Sequence, residues 1–259
     1  MNVFVCVKQI PDPSVGNQFD LATKRLKREG VEAILDNSDE YGVEAGLQLV
    51  EKHGGSVAVI SMGPDRAKEA IRKSLAMGVE RGVLLSDPAL AGSDVLGTAK
   101  ALAAALKQEQ FDVVICSTES TDASTGLLPG HLAELLGVPL LSYARTVEVD
   151  GNKIRTQRQT ESGYQVIEAD LPVVMSVTWA IAEPRYPSLK GIMTAKRKEI
   201  TELNVGALGI DPSEVGEAGA REKVLTIVRP EERKSGEMVT DEGEGGKQIA
   251  DFLQRQRLI

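Results

Sequence analysis

The chain has 259 residues, 42 % of them hydrophobic, with 38 acidic against 30 basic side chains and a net charge of −8. That length can bury one large core or a core plus an extension; the acidic balance argues against nonspecific nucleic-acid binding, and aromatics at 3 % leave no base-stacking platform. No apolar run approaches the roughly 20 residues that span a bilayer, so a chain embedded in the membrane is not expected.

The amino terminus, Met1-Asn2-Val3-Phe4-Val5, lacks the basic start and cleavage site of a secretory signal and enters a strand over 3–7 directly. Residues 38–52 predict a helix with Val43, Leu47 and Val50 on its apolar face, stopped by Gly54-Gly55, which makes His53 a helix-end residue and not a catalyst. A β-branched strand follows at 56–62. Gly63-Pro64-Asp65 then turns into a helix over 66–77. A short strand at 82–85, a helix opened by Ser93-Asp94 and reaching about residue 109, and a strand at 113–116 complete the pattern. Short apolar strands alternating with helices predict βαβ crossovers and a parallel sheet covered on both faces. Cys6 and Cys116 both lie in strand runs, so free buried thiols in a reducing compartment, the cytoplasm, are expected.

Residues 116–126, Cys-Ser-Thr-Glu-Ser-Thr-Asp-Ala-Ser-Thr-Gly, stand between the strand at 113–115 and an amphipathic segment at 127–136. Small side chains admit an anion to the backbone, and the free N–H groups of a following helix attract it. Six hydroxyls, on Ser117, Thr118, Ser120, Thr121, Ser124 and Thr125, add donors. The stretch therefore fits a phosphate cradle at the carboxyl end of a strand. It fits an ordinary β–α turn with a Ser/Thr cap as well.

After Pro139 the pattern changes. Alternating segments at 143–149 and 153–159 flank Asp150-Gly151-Asn152, a hairpin signal, and 164–168 extends the insertion before a buried strand at 171–177. Pro184 and Pro187 exclude a helix over 183–191 and predict an exposed loop, with a short basic helix starting in 194–198. Residues 229–247 read as a polar, solvated arm. Ile249, Phe252, Leu253 and Leu258 then form a helical stripe too short to fold alone. Metal sites and catalytic nucleophiles find no support: His53 and His131 are the only histidines, and neither a Gly-x-Ser-x-Gly elbow nor a Gly-x-x-x-x-Gly-Lys-Ser/Thr loop occurs.

Four stretches resemble the β subunit of electron transfer flavoprotein, the family that includes the FixA-type proteins. They are Val5-Cys6-Val7-Lys8-Gln9-Ile10-Pro11-Asp12; Gly63-Pro64 with residues 69–78; Arg158, Glu161, Gly163, Gln165, Ile167 and Pro172 followed by Val173-Val174-Met175; and residues 183–193 with Ala195-Lys196. Ser162 departs from the family signature, which has Gly or Asp there. The resemblance covers residues 1–200 and more loosely the rest.

The resemblance implies an α/β fold with a doubly wound, mostly parallel sheet of the adenine-nucleotide α-hydrolase-like kind. It divides the chain into a nucleotide-binding domain over 1–207 and a C-terminal arm over 208–259. It also implies a heterodimer in which the α subunit holds most of a redox-active FAD while this chain holds a redox-silent AMP. By position the AMP site takes Cys6, Asp36, Asn37, Ser38, Asp39, Met62, Cys116, Ser117, Thr118, Asp122, Ala123, Ser124 and Thr125. The amides of Ala123, Ser124 and Thr125 are expected on the phosphate, and Cys6 and Met62 beside the adenine. Residues 183–193 match the family's recognition loop, with Leu189 as anchor and Tyr186, Lys190, Ile192 and Met193 around it. The implied role is an electron carrier, not a self-sufficient enzyme, fed by dehydrogenases such as the acyl-CoA dehydrogenases of fatty acid oxidation and drained by a quinone oxidoreductase or similar acceptor. Lys196, Arg197 and Lys198 are expected at the docking face, and the terminal helix is expected to dock on a partner chain such as the α subunit or on its own domain. The rivals are a bifurcating form with a second FAD in place of AMP, and a stand-alone adenine-nucleotide enzyme or sensor.

Overall fold

Runs such as Val113-Val114-Ile115 become strands because every side chain in them is removed from water, the odd ones to one face and the even ones to the other. The computed structural model describes all residues except 17, 229–235, 237 and 239. In chain order its strands are β1 (Asn2–Cys6), β2 (Gln9–Pro11), β3 (Phe19–Asp20), β4 (Arg25–Leu26), β5 (Ala33–Leu35), β6 (Ser56–Met62), β7 (Arg81–Leu85), β8 (Val113–Ser117), β9 (Leu140–Asp150), β10 (Lys153–Thr160), β11 (Gly163–Asp170), β12 (Val173–Val177) and β13 (Ile200–Leu203). The helices are α1 (Asn37–His53), α2 (Lys68–Met77), α3 (Val95–Leu106), α4 (Leu128–Leu136), α5 (Leu189–Ala195), α6 (Val205–Leu208), α7 (Gly216–Gly219) and α8 (Gly245–Arg255).

The chain divides into two units, Met1–Leu225 and Thr226–Ile259. The first is built on a nine-stranded sheet of order β11-β10-β9-β12-β8-β1-β6-β7-β13. Pairing is parallel from β9 to β13, and β10 and β11 add antiparallel strands at one edge. Val3 and Val5 point into the core shared with Val43 and Leu47 of α1 and Ile71 and Leu75 of α2. Phe4 and Cys6 point the other way, toward Leu102 of α3 and Leu132 of α4. Helices on both faces make the fold doubly wound α/β, as expected. In the second unit only α8 is regular among the described residues, and much of the polar arm expected over 229–247 lies outside them.

Gly46 sets how closely α1 lies on β1: a Cβ there would stand 3.2 Å from Val5 and 3.3 Å from Val3. The hairpin signal at Asp150-Gly151-Asn152 holds, with Asp150 paired to Lys153 and Gly151 at φ +57°. The chain builds β6 and β7 on one side of β1, then passes back to place β8 and β12 on the other. That reversal, between β1 and β8, is where open α/β sheets bind ligands.

Two expectations fail. Residues 183–191 are not all loop, because Pro184 and Pro187 both precede the cap: the Gly191 N–H donates to Ser188 Oγ at 3.0 Å and α5 starts at Leu189. The basic residues 196–198 therefore follow a helix instead of starting one. The sequence pattern also missed β13, a four-residue edge strand beside β7, and the small β2–β5 and β3–β4 pairs.

Candidate functional site

The carboxyl ends of β1 and β8 and the start of α1 meet at the reversal point. Asp36 is fully buried at the α1 N-cap, with its N–H donating to the Lys8 carbonyl just beyond β1. Its carboxylate accepts from the Ser38 N–H (3.1 Å) and hydroxyl (2.7 Å) on its own helix. It also accepts from the Thr121 N–H (2.7 Å) and hydroxyl (2.6 Å) in the loop after β8. Ser38 Oγ donates to the Glu119 carbonyl at 3.2 Å. One carboxylate thus caps a helix and pins a loop that lies 85 residues away.

Asp39, one turn into α1, accepts the Lys8 N–H at 2.8 Å. Burial and the neighbouring Asp36 push its pKa up to about 8, against smaller opposing contributions from Ser117 and Lys8. Cys6 and Cys116 are free, buried neighbours on β1 and β8, and the Cys6 thiol together with burial pushes Cys116 well above the ordinary thiol range. Asp122 behaves differently. Burial raises its pKa, but Lys8 and Arg28 outweigh burial and hold it below the usual aspartate value. Lys8 Nζ lies 2.6 Å from one of its oxygens and Arg28 Nη2 2.5 Å from the other, and Lys8 Nζ also donates to Ser120 Oγ at 3.2 Å.

The structure brings together Cys6, Asp36, Ser38, Asp39, Cys116, Ser117 and Asp122. Thr118 borders them, its hydroxyl donating to the Val177 carbonyl at the end of β12. Asn37 is exposed on the first turn of α1, and Met62 closes β6 on the far side of β1. The Ala123 and Ser124 N–H groups donate to the Ser120 carbonyl at 3.3 and 2.8 Å, closing a turn with Ser124 at φ +47°, while Thr125 is exposed. Helix α4 begins at Leu128, directly after the loop as expected, but Pro129 in its first turn has no N–H to offer. Sequence reasoning missed Lys8 and Arg28 as site residues, and it named Thr121 only as one of the loop hydroxyls. The position of Lys8 directly after a buried strand was a usable signal; Arg28 offered none.

The exposed part of this set suits an anion such as a phosphate: Lys8 and Arg28 each keep 37 % of their side-chain surface in solvent beside the loop hydroxyls, whereas Asp36 and Asp39 are buried with their oxygens already accepting from Ser38, Thr121 and Lys8. A cavity of about 340 Å³ lies at the opposite, amino end of β1 and β6, beside Arg81 and Gln108. Asn2, Ser56, Arg81, Gln108 and Glu109 give it a polar lining, and its distance from the reversal point argues against it as the ligand site.

The second region of interest is 183–195. Tyr186 is 94 % exposed, Leu189 83 % and Met193 74 %, with Lys190 and Ile192 exposed beside them. Lys198 departs from the expected docking face: its ammonium donates to the Leu75 and Val79 carbonyls at 3.0 and 2.6 Å. No helix among the described residues is long and apolar enough to cross a membrane.

Residues 23–208 match the family model described as "Electron transfer flavoprotein domain". Over its whole length the chain is 44 % identical to the electron transfer flavoprotein subunit beta of Mycobacterium leprae, of which it covers 99 %. It is 37 % identical to the subunit beta of Megasphaera elsdenii, with 97 % of this chain and 96 % of that one aligned. It is 34 % identical to the caffeyl-CoA reductase-Etf complex subunit CarD of Acetobacterium woodii, over 93 % of this chain and 92 % of that one.

Proposed function

From the premise that the chain belongs to the electron transfer flavoprotein family, on its β-subunit side, we propose that it is an electron-carrier subunit that holds an adenylate at the β1–β8 reversal and pairs with an FAD-bearing α subunit. The observation that carries the adenylate reading is the meeting of Lys8 and Arg28 on Asp122, inside a hydroxyl-rich loop tied to the head of α1 by Asp36. In this reading Lys8 and Arg28 face the phosphate. Thr125 and the free edge of the loop supply further donors. The Asp36–Asp39 turn, with Cys6 and Met62 at the strand ends, borders the sugar and base.

Bound FAD supplies the reversible uptake and release of electrons. This chain's residues hold the adenylate, keep the loop after β8 closed, and present the exposed side chains of α5 to redox partners. Leu189 is the anchor, with Tyr186, Ile192 and Met193 forming an adaptable apolar rim. Partners are dehydrogenases such as acyl-CoA dehydrogenases on the reducing side and a quinone oxidoreductase-type acceptor on the other, in the cytoplasm. The stretch 208–259 serves as the arm toward the α subunit. Its helix α8 carries the apolar stripe of Ile249 and Phe252, which in this reading is covered by the α subunit.

We favour AMP as the adenylate over a second FAD. Purification of the heterodimer and release of its cofactors by heat gives the count: one FAD and one AMP per pair are expected. Two FAD with no AMP would replace this version by the bifurcating one, and absence of any adenylate or of a companion chain would remove the reading.

A further inference from the structure

The segment that carries Tyr186, Leu189 and Met193 is braced from beneath by side chains that the docking reading leaves without a task. Arg185 reaches back to α1. Its Nε and Nη2 lie 2.7 and 3.0 Å from the two oxygens of Glu44, and its Nη1 and Nη2 lie 2.5 and 3.1 Å from those of Glu51. Its backbone N–H donates to Glu44 as well, at 3.2 Å. Glu44 is only 4 % exposed against 58 % for Glu51, so the Glu44 half of the clamp is the better shielded from water and salt, while a third of Arg185 itself stays in solvent. Glu44 and Glu51 stand about two helical turns apart and so share one face of α1. The Gln48 amide between them donates to Glu44 at 2.8 Å.

The other end of the segment is fixed to α2. Arg72 donates to the carbonyls of Ala195 and Lys198 at 2.5 and 2.6 Å, occupying acceptors at the end of α5. Lys198 in turn donates to the Leu75 carbonyl in the last turn of α2 and to the Val79 carbonyl just past its end. Between these ends Gly191 lets α5 lie on the backbone of α2: a Cβ there would stand 2.3 Å from the Ala76 carbonyl oxygen. A helix of this length has no stability of its own, so its place is set by these contacts. It also exposes apolar side chains that a free loop would be expected to fold away.

We propose that Arg185, clamped by Glu44 and Glu51, is a positioning residue that keeps α5 folded and aimed before any partner arrives. This rests on the reading of 183–193 as the docking surface. A preformed anchor spares the partner the cost of ordering a segment, which is felt in the binding of the partner and not in electron transfer within the complex. The braced helix is also tied to α1, the element whose first turn caps the adenylate loop.

The test uses the purified heterodimer carrying Arg185→Ala, the pair Glu44→Gln with Glu51→Gln, or Leu189→Ala. Hydrogen exchange of amides 189–195 reads the position of α5, and kinetics with a reduced acyl-CoA dehydrogenase read docking. Both clamp variants are expected to speed exchange in α5 about tenfold and to raise the KM for the dehydrogenase about tenfold, with kcat and flavin content kept and Arg185→Lys falling between. Exchange that stays at the wild-type rate overturns the clamp. A raised KM for Arg185→Ala alone, with the Glu44 and Glu51 pair behaving as wild type, also overturns it, because Arg185 would then touch the partner itself. Leu189→Ala should raise KM without changing exchange. If it leaves KM unchanged while the clamp variants loosen α5, the docking reading falls and the clamp stands. Should Arg185→Ala fail to fold, Glu51→Gln alone removes the more exposed half of the clamp, and wild-type exchange in that variant counts against it.

Discussion

At the head of α1 charged groups are hidden, whereas along α5 apolar ones are shown. Asp36 and Asp39 are buried and Asp122 has almost no exposed side-chain surface, and each is surrounded by donors from elements far apart in the chain. Tyr186, Leu189 and Met193 are largely in solvent, on α5 or just ahead of it, in a segment whose two ends are bonded to α1 through Arg185 and to α2 through Arg72. Each arrangement runs against the ordinary preference of its residues. The first is tolerated because every buried carboxylate has its partners, so its cost falls on anything that removes one of them. The second is tolerated because exposed apolar side chains on a fixed helix cost the isolated chain little and are repaid only when a partner covers them. Changes at the cleft should therefore act on stability, and changes on α5 on association.

The largest effect expected from that contrast is Asp36→Ala. It removes the α1 cap and leaves the Thr121 N–H and hydroxyl without their acceptor, so urea unfolding should show a loss of about 3 kcal/mol, and adenylate content should fall with it. A loss too small to measure would mean that the loop after β8 is not held by this carboxylate. The complementary variant is Leu189→Ala. Unfolding should be unchanged, since the side chain is exposed and Ala is a good helix former. Reduction by an acyl-CoA dehydrogenase should slow about thirtyfold, the ~2 kcal/mol of an interface anchor. A variant that loses stability but keeps its rate would reverse the roles given to the two regions.

Much of the cleft's framework was legible in the sequence because it is local. The β-branched runs at 56–62 and 113–116, the Asp150-Gly151 turn and the hydroxyl-rich loop each announce themselves within a dozen residues. The charge pairing inside the cleft was not legible, since Lys8 and Arg28 meet Asp122 across 114 and 94 residues. For the same reason the Arg185–Glu44 pair, 141 residues apart, left no trace. The two prolines misled over 183–191. Proline excludes helix only at its own position and just before it, and Ser188 restarts the chain one residue after Pro187. The short strand β13 was missed because Ile200-Thr201-Glu202-Leu203 alternates too briefly to be told from a loop, and it is the neighbouring β7 that makes it a strand.

The smallest predicted effect separates burial from pairing within the cleft itself. Asp39 takes up a proton on folding: its pKa rises from 3.8 to about 8, chiefly through burial and then through Asp36. The folded state therefore binds more protons than the unfolded chain between about pH 4 and 8, and this group's contribution to stability declines as pH rises through that window and is flat above it. Asp39→Asn keeps an acceptor for the Lys8 N–H and cannot ionise. Below pH 4 it should melt like the wild type. At pH 8.5 it should melt higher than the wild type, in the direction the raised pKa sets. The difference between the two melting curves should grow steadily with pH, because every other titrating group is common to both proteins. Asp122 supplies the contrast, since Lys8 and Arg28 hold its pKa down and its contribution should be lost toward acid pH, in the opposite direction. If the Asp39→Asn difference is the same at pH 4 and at pH 8.5, the Asp39 carboxyl is ionised in the folded protein throughout, and it places a negative charge at the head of α1 that an adenylate phosphate would have to avoid.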